Sequence, residues 1–148
     1  MKIAISGKGG VGKTTLAALL AQVYADQGHL VLAVDADPSP CLAGALGFPP
    51  ELRERLTPIS EMDDLIQERT GARPGTIGGF FTINPRVDDI PERFSVEYRG
   101  VRLLEMGSVD TGGSGCICPE SAMLKTLFTH LLFRKDDILI LDMYAGVE

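Results

Sequence analysis

The stretch that decides the fold is Gly7 to Thr14, which reads GKGGVGKT and matches the pattern G-x-x-x-x-G-K-[ST]. Just before it, Lys2 to Ser6 carries β-branched isoleucines and predicts a short buried strand. Just after it, residues 14–27 predict a helix. Glycines let backbone N–H groups turn toward an anion, and a helix N-terminus adds positive charge. The sequence therefore predicts a loop that holds phosphates.

Individual residues of this loop have separable predicted roles. The side chain of Lys13 can reach the β- and γ-phosphates of ATP or ADP, and the Thr14 hydroxyl can ligate Mg²⁺. The predicted nucleotide-binding set consists of loop residues and one later carboxylate: Gly7, Gly9, Gly10, Val11, Gly12, Lys13, Thr14, Thr15 and Asp142.

The next elements predict an α/β domain. The helix carries apolar residues at helical spacing: Leu16, Leu19, Leu20 and Val23. Gly28 ends it, and Leu30–Val34 is a continuous apolar run typical of a strand covered on both faces. A strand, a helix and a strand over so short a stretch indicate a parallel sheet with a right-handed crossover. We therefore predict a P-loop NTPase fold, a mostly parallel sheet flanked by helices, in a single domain over residues 1–148.

The remaining segments follow the same class of fold. The patterns predict helices over Ser39–Leu46, Ser60–Arg69 and Pro119–Phe133, an irregular surface excursion over Gly71–Pro91, two strands joined around Gly100 (Phe94–Tyr98 and Val101–Met106), and a strand over Asp137–Leu141. Because the last strand resembles a central one, we expect the domain to be incomplete at the C-terminus, as the N-terminal portion of a longer domain.

Composition excludes several classes of function. The net charge is −6 and no dense Lys/Arg block is present, so we expect no nucleic-acid partner. The longest apolar stretch, Leu16–Ala25, is too short to span a membrane, and the N-terminal apolar run is too short for a signal peptide. We therefore expect a cytoplasmic protein without membrane attachment, whose cysteines favour metal or redox chemistry over structural disulfides.

Two carboxylate motifs follow predicted strands. Asp35-Ala36-Asp37-Pro38 follows the second strand, and Asp142 ends the apolar run Ile138–Leu141 in the Walker B form. Asp142 can hold a water on Mg²⁺, and Asp35 is predicted to support either Mg²⁺ or its own loop.

A second lysine in the loop, Lys8, resembles the deviant Walker A pattern of the family that includes MinD, arsenite-pump ATPases and the nitrogenase iron protein. The resemblance implies a homodimer formed on ATP binding, in which Lys8 contacts phosphates across the interface. It also implies a first switch in which Asp37 orients the attacking water and serves Mg²⁺ together with Thr14 and Asp142. The implied catalytic set is Lys8, Lys13 and Asp37, and Ala145-Gly146 resembles the second switch.

Cys116 and Cys118 form a Cys-x-Cys motif at the start of the last predicted helix. A helix N-terminus favours the anionic thiolate that binds metals, and a closed site for Ni²⁺ or Zn²⁺ usually needs four ligands. A two-fold dimer supplies two cysteines from each subunit. A redox pair and an incidental pair are the alternatives, and Cys41 is expected to be a small packed side chain.

The segment GGSGCICPE (residues 112–120), together with Cys41-Leu42-Ala43-Gly44, resembles the CooC-type nickel-insertion ATPases that mature carbon monoxide dehydrogenase. The resemblance implies an ATP-dependent metallochaperone that holds nickel between two subunits and delivers it to that enzyme. Three alternatives stay open: a regulatory ATPase of the MinD/ParA kind without metal, an electron-transfer protein like the nitrogenase iron protein, and a catalytically inert fragment.

Overall fold

The computed structural model of the protein describes residues 1–75, 80–107, 118–134 and 138–144. The strands are β1 (Lys2–Ile5), β2 (Val31–Ala36), β3 (Val96–Tyr98), β4 (Val101–Glu105) and β5 (Ile138–Met143). The helices are α1 (Lys13–Asp26), α2 (Leu42–Ala45), α3 (Pro50–Arg53), α4 (Asp63–Thr70), α5 (Ile90–Phe94) and α6 (Pro119–Phe133), with a 3-10 turn at Ile59–Glu61. Each of these elements matches a predicted one except α3, α5 and the 3-10 turn.

The strands form a single sheet in the order β1-β5-β2-β4-β3. In this order β1, β5, β2 and β4 are parallel to one another. Strand β3 runs antiparallel and is paired to β4. The β3–β4 connection is a two-residue turn at Arg99-Gly100, and both residues have positive φ, at 50° and 76°. This backbone matches the right-handed twist of the two strands, so the predicted tight hairpin around Gly100 is confirmed.

Alternation along the strands builds two cores, one on each face of the sheet. Leu32 and Val34 of β2 point to a core formed with α4 and α6, whereas Val31 and Ala33 point to a core formed with α1 and α2. Helices therefore cover both faces of a mostly parallel sheet, and the predicted α/β fold class is confirmed.

Alanines form the face by which α1 packs on the sheet. Its buried residues are Ala17, Ala18 and Ala21, whereas Leu16, Leu19 and Val23 are 50%, 61% and 48% exposed. Alanines let the helix lie close to the strands, so the small residues occupy the contact and the larger side chains lie outside it. Leu20 is an intermediate case, since it is partly buried against the core on this face of the sheet.

The predicted surface excursion over Gly71–Pro91 is irregular only in its backbone, and residues 76–79 lie outside the described part of the chain. Val87 and Ile90 belong to the core beneath α6, and Pro85 is buried as well. Arg69 fixes the segment through a two-pronged ion pair with Asp89, at 3.0 and 2.8 Å. The segment is therefore anchored to the core at these residues, while Ile83, Asn84 and Asp88 remain exposed, as expected for a surface excursion.

The end of β4 packs closely against the 3-10 turn, which makes Gly107 sensitive to substitution. Gly107 has φ +74°, and a Cβ there would overlap Ser60 Oγ and approach Pro58 Cβ to 3.0 Å. We expect Gly107→Ala to lower the free energy of unfolding by about 3 kcal/mol, through backbone strain together with overpacking. Urea denaturation measures this loss.

Gly47→Ala is the matched control, because Gly47 has φ +73° and open space where its Cβ would lie. Its expected loss is about 1 kcal/mol, from backbone strain alone. Equal losses in the two variants would show that the contact with Ser60 is not a constraint.

Candidate functional site

The carboxyl ends of the parallel strands bring the predicted site residues to one edge of the sheet. Asp142 of β5 is in register with Ile5 of β1 on one side and with Asp35 of β2 on the other. Asp35 is in register with Glu105 of β4. Neighbouring strands lie about 4.8 Å apart. Asp142, Asp35 and Glu105 therefore form a carboxylate row that starts beside β1, the strand that leads into the glycine loop.

The glycine loop joins β1 to α1 with backbone that favours glycine at several positions. Gly7, Gly10 and Gly12 have φ values of 151°, 78° and 92°. Gly12 is the N-cap of α1, where no side chain caps the helix and no acidic residue lies in the first turn. The positive end of the helix dipole is therefore uncompensated by the protein and faces the loop, as an anion site requires.

The two loop lysines occupy different positions. Lys13 folds back over the loop, and its Nζ donates to the backbone oxygen of Lys8 at 3.1 Å. The Lys8 side chain is exposed, as are Val11 and Thr15, whereas Thr14 is half-buried at the start of α1. Lys13, folded over the loop, is placed to bind phosphate oxygens held there. The exposed Lys8 is placed to bind phosphates on a partner molecule across an interface. The catalytic and dimer-bridging roles of these lysines stay predictions.

Asp35 organises the loop that follows β2. Its carboxylate is fully buried and accepts from the backbone N–H groups of Asp37, Cys41 and Leu42 at 3.1, 2.9 and 2.9 Å. Burial raises the pKa of Asp35 above its ordinary value, and these N–H donors oppose that rise. Of the two roles predicted for Asp35, the geometry favours loop support over Mg²⁺.

Asp37 is half-buried in the same loop, one residue beyond β2. Its Oδ1 accepts from the backbone N–H of Ser39 at 2.8 Å, which forms a tight local turn. The second oxygen of Asp37 has no hydrogen bond within the described ranges. A role in orienting water or serving Mg²⁺ stays a prediction for this residue.

Asp142 has an unpaired oxygen at the centre of the site. The residue is 2% exposed, and its Oδ1 has no hydrogen-bond partner within the described part of the chain. A buried carboxylate oxygen without a donor is costly, and a cation or a cation-bound water would satisfy it. Mg²⁺ in nucleotide sites is held by one or two carboxylates plus phosphates and waters, so Asp142 and Thr14 are a fitting donor set.

Glu105 is the site residue that the sequence reasoning missed. It is 8% exposed, and burial together with the neighbouring carboxylates of Asp35 and Glu61 raises its pKa to about 7. The signal was present, because VRLLE ends an apolar strand in a carboxylate just as ILILD does. Glu105 therefore extends the carboxylate row by one strand.

Of the predicted Cys-x-Cys pair, only Cys118 is described, since Cys116 lies in the undescribed range 108–117 together with most of the glycine-rich loop. Cys118 is the N-cap of α6, and its Sγ accepts from the backbone N–H of Ser121 at 3.5 Å. The Sγ also lies 2.9 Å from Ser121 Oγ. The thiol therefore sits at the positive end of a long helix, as predicted.

Cys41 was expected to be a packed side chain, and this was wrong. The residue is exposed at the start of α2, and its Sγ donates to the backbone oxygen of Ser39 at 3.1 Å. Leu42 takes the buried place instead, because the chain must offer its N–H groups to Asp35 at this point.

Within the described ranges, no three or more His, Cys, Asp and Glu side chains are grouped so as to hold a metal ion. None of the helices in the described part of the chain combines the length and apolar character needed to cross a membrane. The predicted second switch, Ala145-Gly146, lies outside the described residues.

A glycine loop between a strand and a helix, beside a buried strand-end aspartate in a parallel sheet, defines a P-loop nucleotide-binding domain. A comparison with family sequence profiles agrees: residues 2–143 match the CobQ/CobB/MinD/ParA nucleotide binding domain, CbiA, and the chain belongs to this family.

Individual relatives are similar over the whole chain. The carbon monoxide dehydrogenase accessory protein CooC of Rhodospirillum rubrum is 51% identical over 148 residues, which are all of this chain and 56% of that protein. An uncharacterized ATP-binding protein of Methanocaldococcus jannaschii is 47% identical over 148 residues, again 56% of its length. The chain thus spans just over half the length of these relatives, and the predicted resemblance to the CooC type is confirmed.

Among solved structures, the septum site-determining protein MinD of Pyrococcus horikoshii, complexed with Mg-ADP, has a similar fold. The TM-score is 0.55 at 23% identity, over all of this chain and 51% of that one. This likeness confirms the fold class.

The raised pKa of Glu105 predicts a pH dependence of stability. Without nucleotide or Mg²⁺, the folded state keeps the Glu105 proton up to about pH 7, whereas the unfolded chain loses it near 4.5. The unfolded state therefore binds fewer protons in this window, and stability falls as the pH rises from 4.5 to 7. In Glu105→Gln, the free energy of unfolding should fall by about 3 kcal/mol less than in the wild type over this pH range.

Urea denaturation of both proteins across this pH range measures the difference. Glu97→Gln, on the exposed side of β3, is the control and should keep the pH dependence of the wild type. Parallel curves for wild type and Glu105→Gln would contradict the assignment of a buried, neutral Glu105.

Proposed function

We propose that this chain binds Mg-ATP and Mg-ADP at the glycine loop and acts as the ATPase part of a nickel metallochaperone. The main support for the nucleotide site is the register of Ile5 with Asp142. This register places the buried Oδ1 of Asp142, which has no partner among the described residues, beside β1, the strand that leads into the glycine loop. A loop that suits phosphates and an adjacent oxygen that suits a cation together match a Mg-nucleotide.

In this proposal, the loop N–H groups and Lys13 hold the phosphates. Thr14 and Asp142 hold Mg²⁺, which supplies charge neutralisation between phosphate oxygens when it is bound. Asp37 orients the water that attacks the terminal phosphate, and its free oxygen is available for this once the Ser39 turn holds the other. Asp35 fixes the loop on which Asp37 lies.

Dimerisation is the second part of the proposal. The Lys8 side chain is exposed at the tip of the loop and makes no ion pair within the described residues. A lysine in this position can reach phosphates held by a second copy of the chain, so that nucleotide joins two subunits. Such coupling requires ATP to bind the dimer more tightly than the monomer.

The cargo is the third part. Cys118 sits at the N-terminus of α6, and Cys116 is two residues away along the chain. Two copies would offer four thiolates, enough for a closed site for Ni²⁺ or Zn²⁺. The 51% identity to a carbon monoxide dehydrogenase accessory protein supports carbon monoxide dehydrogenase as the recipient. Nickel as the cargo is what the resemblance of residues 112–120 to the nickel-insertion ATPases implies.

A metal-content measurement tests the proposed cargo site. With ATP and Mg²⁺, we expect a dimer that carries one Ni²⁺ or Zn²⁺ per two chains. The double variant Cys116→Ala with Cys118→Ala should lose the metal but keep nucleotide binding, because its cysteines supply the thiolates and not the phosphate contacts. Native mass spectrometry reports both the metal and the number of chains.

Two variants serve as controls for this experiment. Cys41→Ala should keep the metal, since Cys41 is exposed in a separate loop beside Asp37. Lys8→Ala should bind nucleotide as a monomer and lose the shared metal. A metal stoichiometry that is unchanged in the double variant would refute the cargo site, and would favour a regulatory ATPase without metal.

A further inference from the structure

A cavity of about 670 Å³ lies on the outer side of α6, between that helix and the irregular segment 83–88. Its apolar lining comes from Ile83, Pro85 and Val87 on one wall and Ala122 on the other. The cavity shares no lining residue with the glycine loop or the carboxylate row, and α6 covers the sheet face opposite to α1. We call it the α6 groove.

Residues 83–88 form one wall of the α6 groove, and this wall is held in place although it has no regular secondary structure. Arg69 is 10% exposed and binds both oxygens of Asp89, and it also donates to the backbone oxygen of Arg86 at 3.2 Å. Arg69 and Arg93 hold the pKa of Asp89 well below its ordinary range. Thr126 adds a bond from α6 to the backbone oxygen of Ile83, at 3.4 Å. An irregular segment fixed in this way forms a preformed wall, as ligand pockets usually have.

The helix wall presents a row of side chains along α6. Ser121, Lys125 and Thr129 recur at a spacing of four residues and all line the groove, with Thr126 and His130 beside them. The row from residue 121 to residue 130 extends about 13 Å along the helix. This length suits a flat, elongated organic molecule.

Three of the polar side chains that line the α6 groove are unused and can donate hydrogen bonds. The side chains of Asn84, Lys125 and His130 have no hydrogen-bond or ion-pair partner among the residues that the structure describes. The one carboxylate of the lining, Asp88, is already paired with Arg86 at 2.7 and 3.1 Å. Lys125 and the N–H groups of Asn84 and His130 can donate to a ligand that carries acceptors, and the unpaired full charge in the described lining is positive.

We propose that the α6 groove binds a small organic acid. Its apolar body lies along Ile83, Pro85 and Ala122, and its anionic group pairs with Lys125 and receives hydrogen bonds from Asn84 and His130. Pockets of this size, mostly apolar with a few converging polar groups, are typical of small-molecule sites. This site is separate from the proposed ATPase site and does not depend on it.

The probe pair 2-naphthoate and 2-naphthamide tests the proposal, because the two share an apolar body and differ in charge. By isothermal titration calorimetry, we expect the wild type to bind 2-naphthoate about tenfold more tightly than 2-naphthamide. Lys125→Ala should remove this preference, whereas Lys125→Arg should largely keep it. Thr129→Phe adds a bulky side chain at an exposed position of the groove and should abolish binding of both compounds.

Arg53→Ala, which removes an exposed cation from α3, is the matched control and should leave both affinities unchanged. Saturating Mg-ADP should also leave 2-naphthoate binding unchanged. No binding of either compound, an unchanged preference in a Lys125→Ala variant with wild-type circular dichroism, or displacement of 2-naphthoate by ADP would each overturn the proposal.

Discussion

The site depends on one pairing, the insertion of β5 between β1 and β2 in a parallel register. This pairing brings a late segment of the chain, Ile138–Met143, beside the first strand and beside the second. Because all three strands end at the same edge, the glycine loop, Asp142 and the Asp35 loop meet there without any long side chain having to reach across. Both hydrophobic cores stabilise this pairing, because α1 packs on one face of these strands and α6 on the other.

The pairing also concentrates negative charge, and the protein neutralises each carboxylate differently. Asp35 receives three backbone N–H groups and Glu105 keeps its proton up to about pH 7, whereas none of the described residues donates to Asp142 Oδ1. Buried carboxylates are tolerated when they are hydrogen-bonded or neutral. Asp142 is the exception in this row, and an unpaired carboxylate oxygen at a strand end beside a glycine loop is where a cation belongs.

Much of this arrangement could be predicted from the sequence. The glycine loop, the strands around it and the helix from Pro119 to Phe133 follow from local patterns with few alternatives. The packed face of α1 could not be predicted in the same way, because apolar spacing selects leucines while close approach to a sheet selects alanines. Glu105 was missed because its importance comes from its neighbour on another strand. The packing of residues 82–89 depends on Arg69, an ion-pair partner that no local pattern reveals.

The most direct test of the central claim measures ADP affinity with and without Mg²⁺ for the wild type and Asp142→Asn. If Asp142 serves the cation beside the glycine loop, Mg²⁺ should tighten ADP binding to the wild type, and the variant should lose most of that gain. The affinity of Asp142→Asn for ADP without Mg²⁺ should equal or exceed that of the wild type, because a buried negative charge near the phosphates has been removed. An equal gain from Mg²⁺ in both proteins would contradict the account.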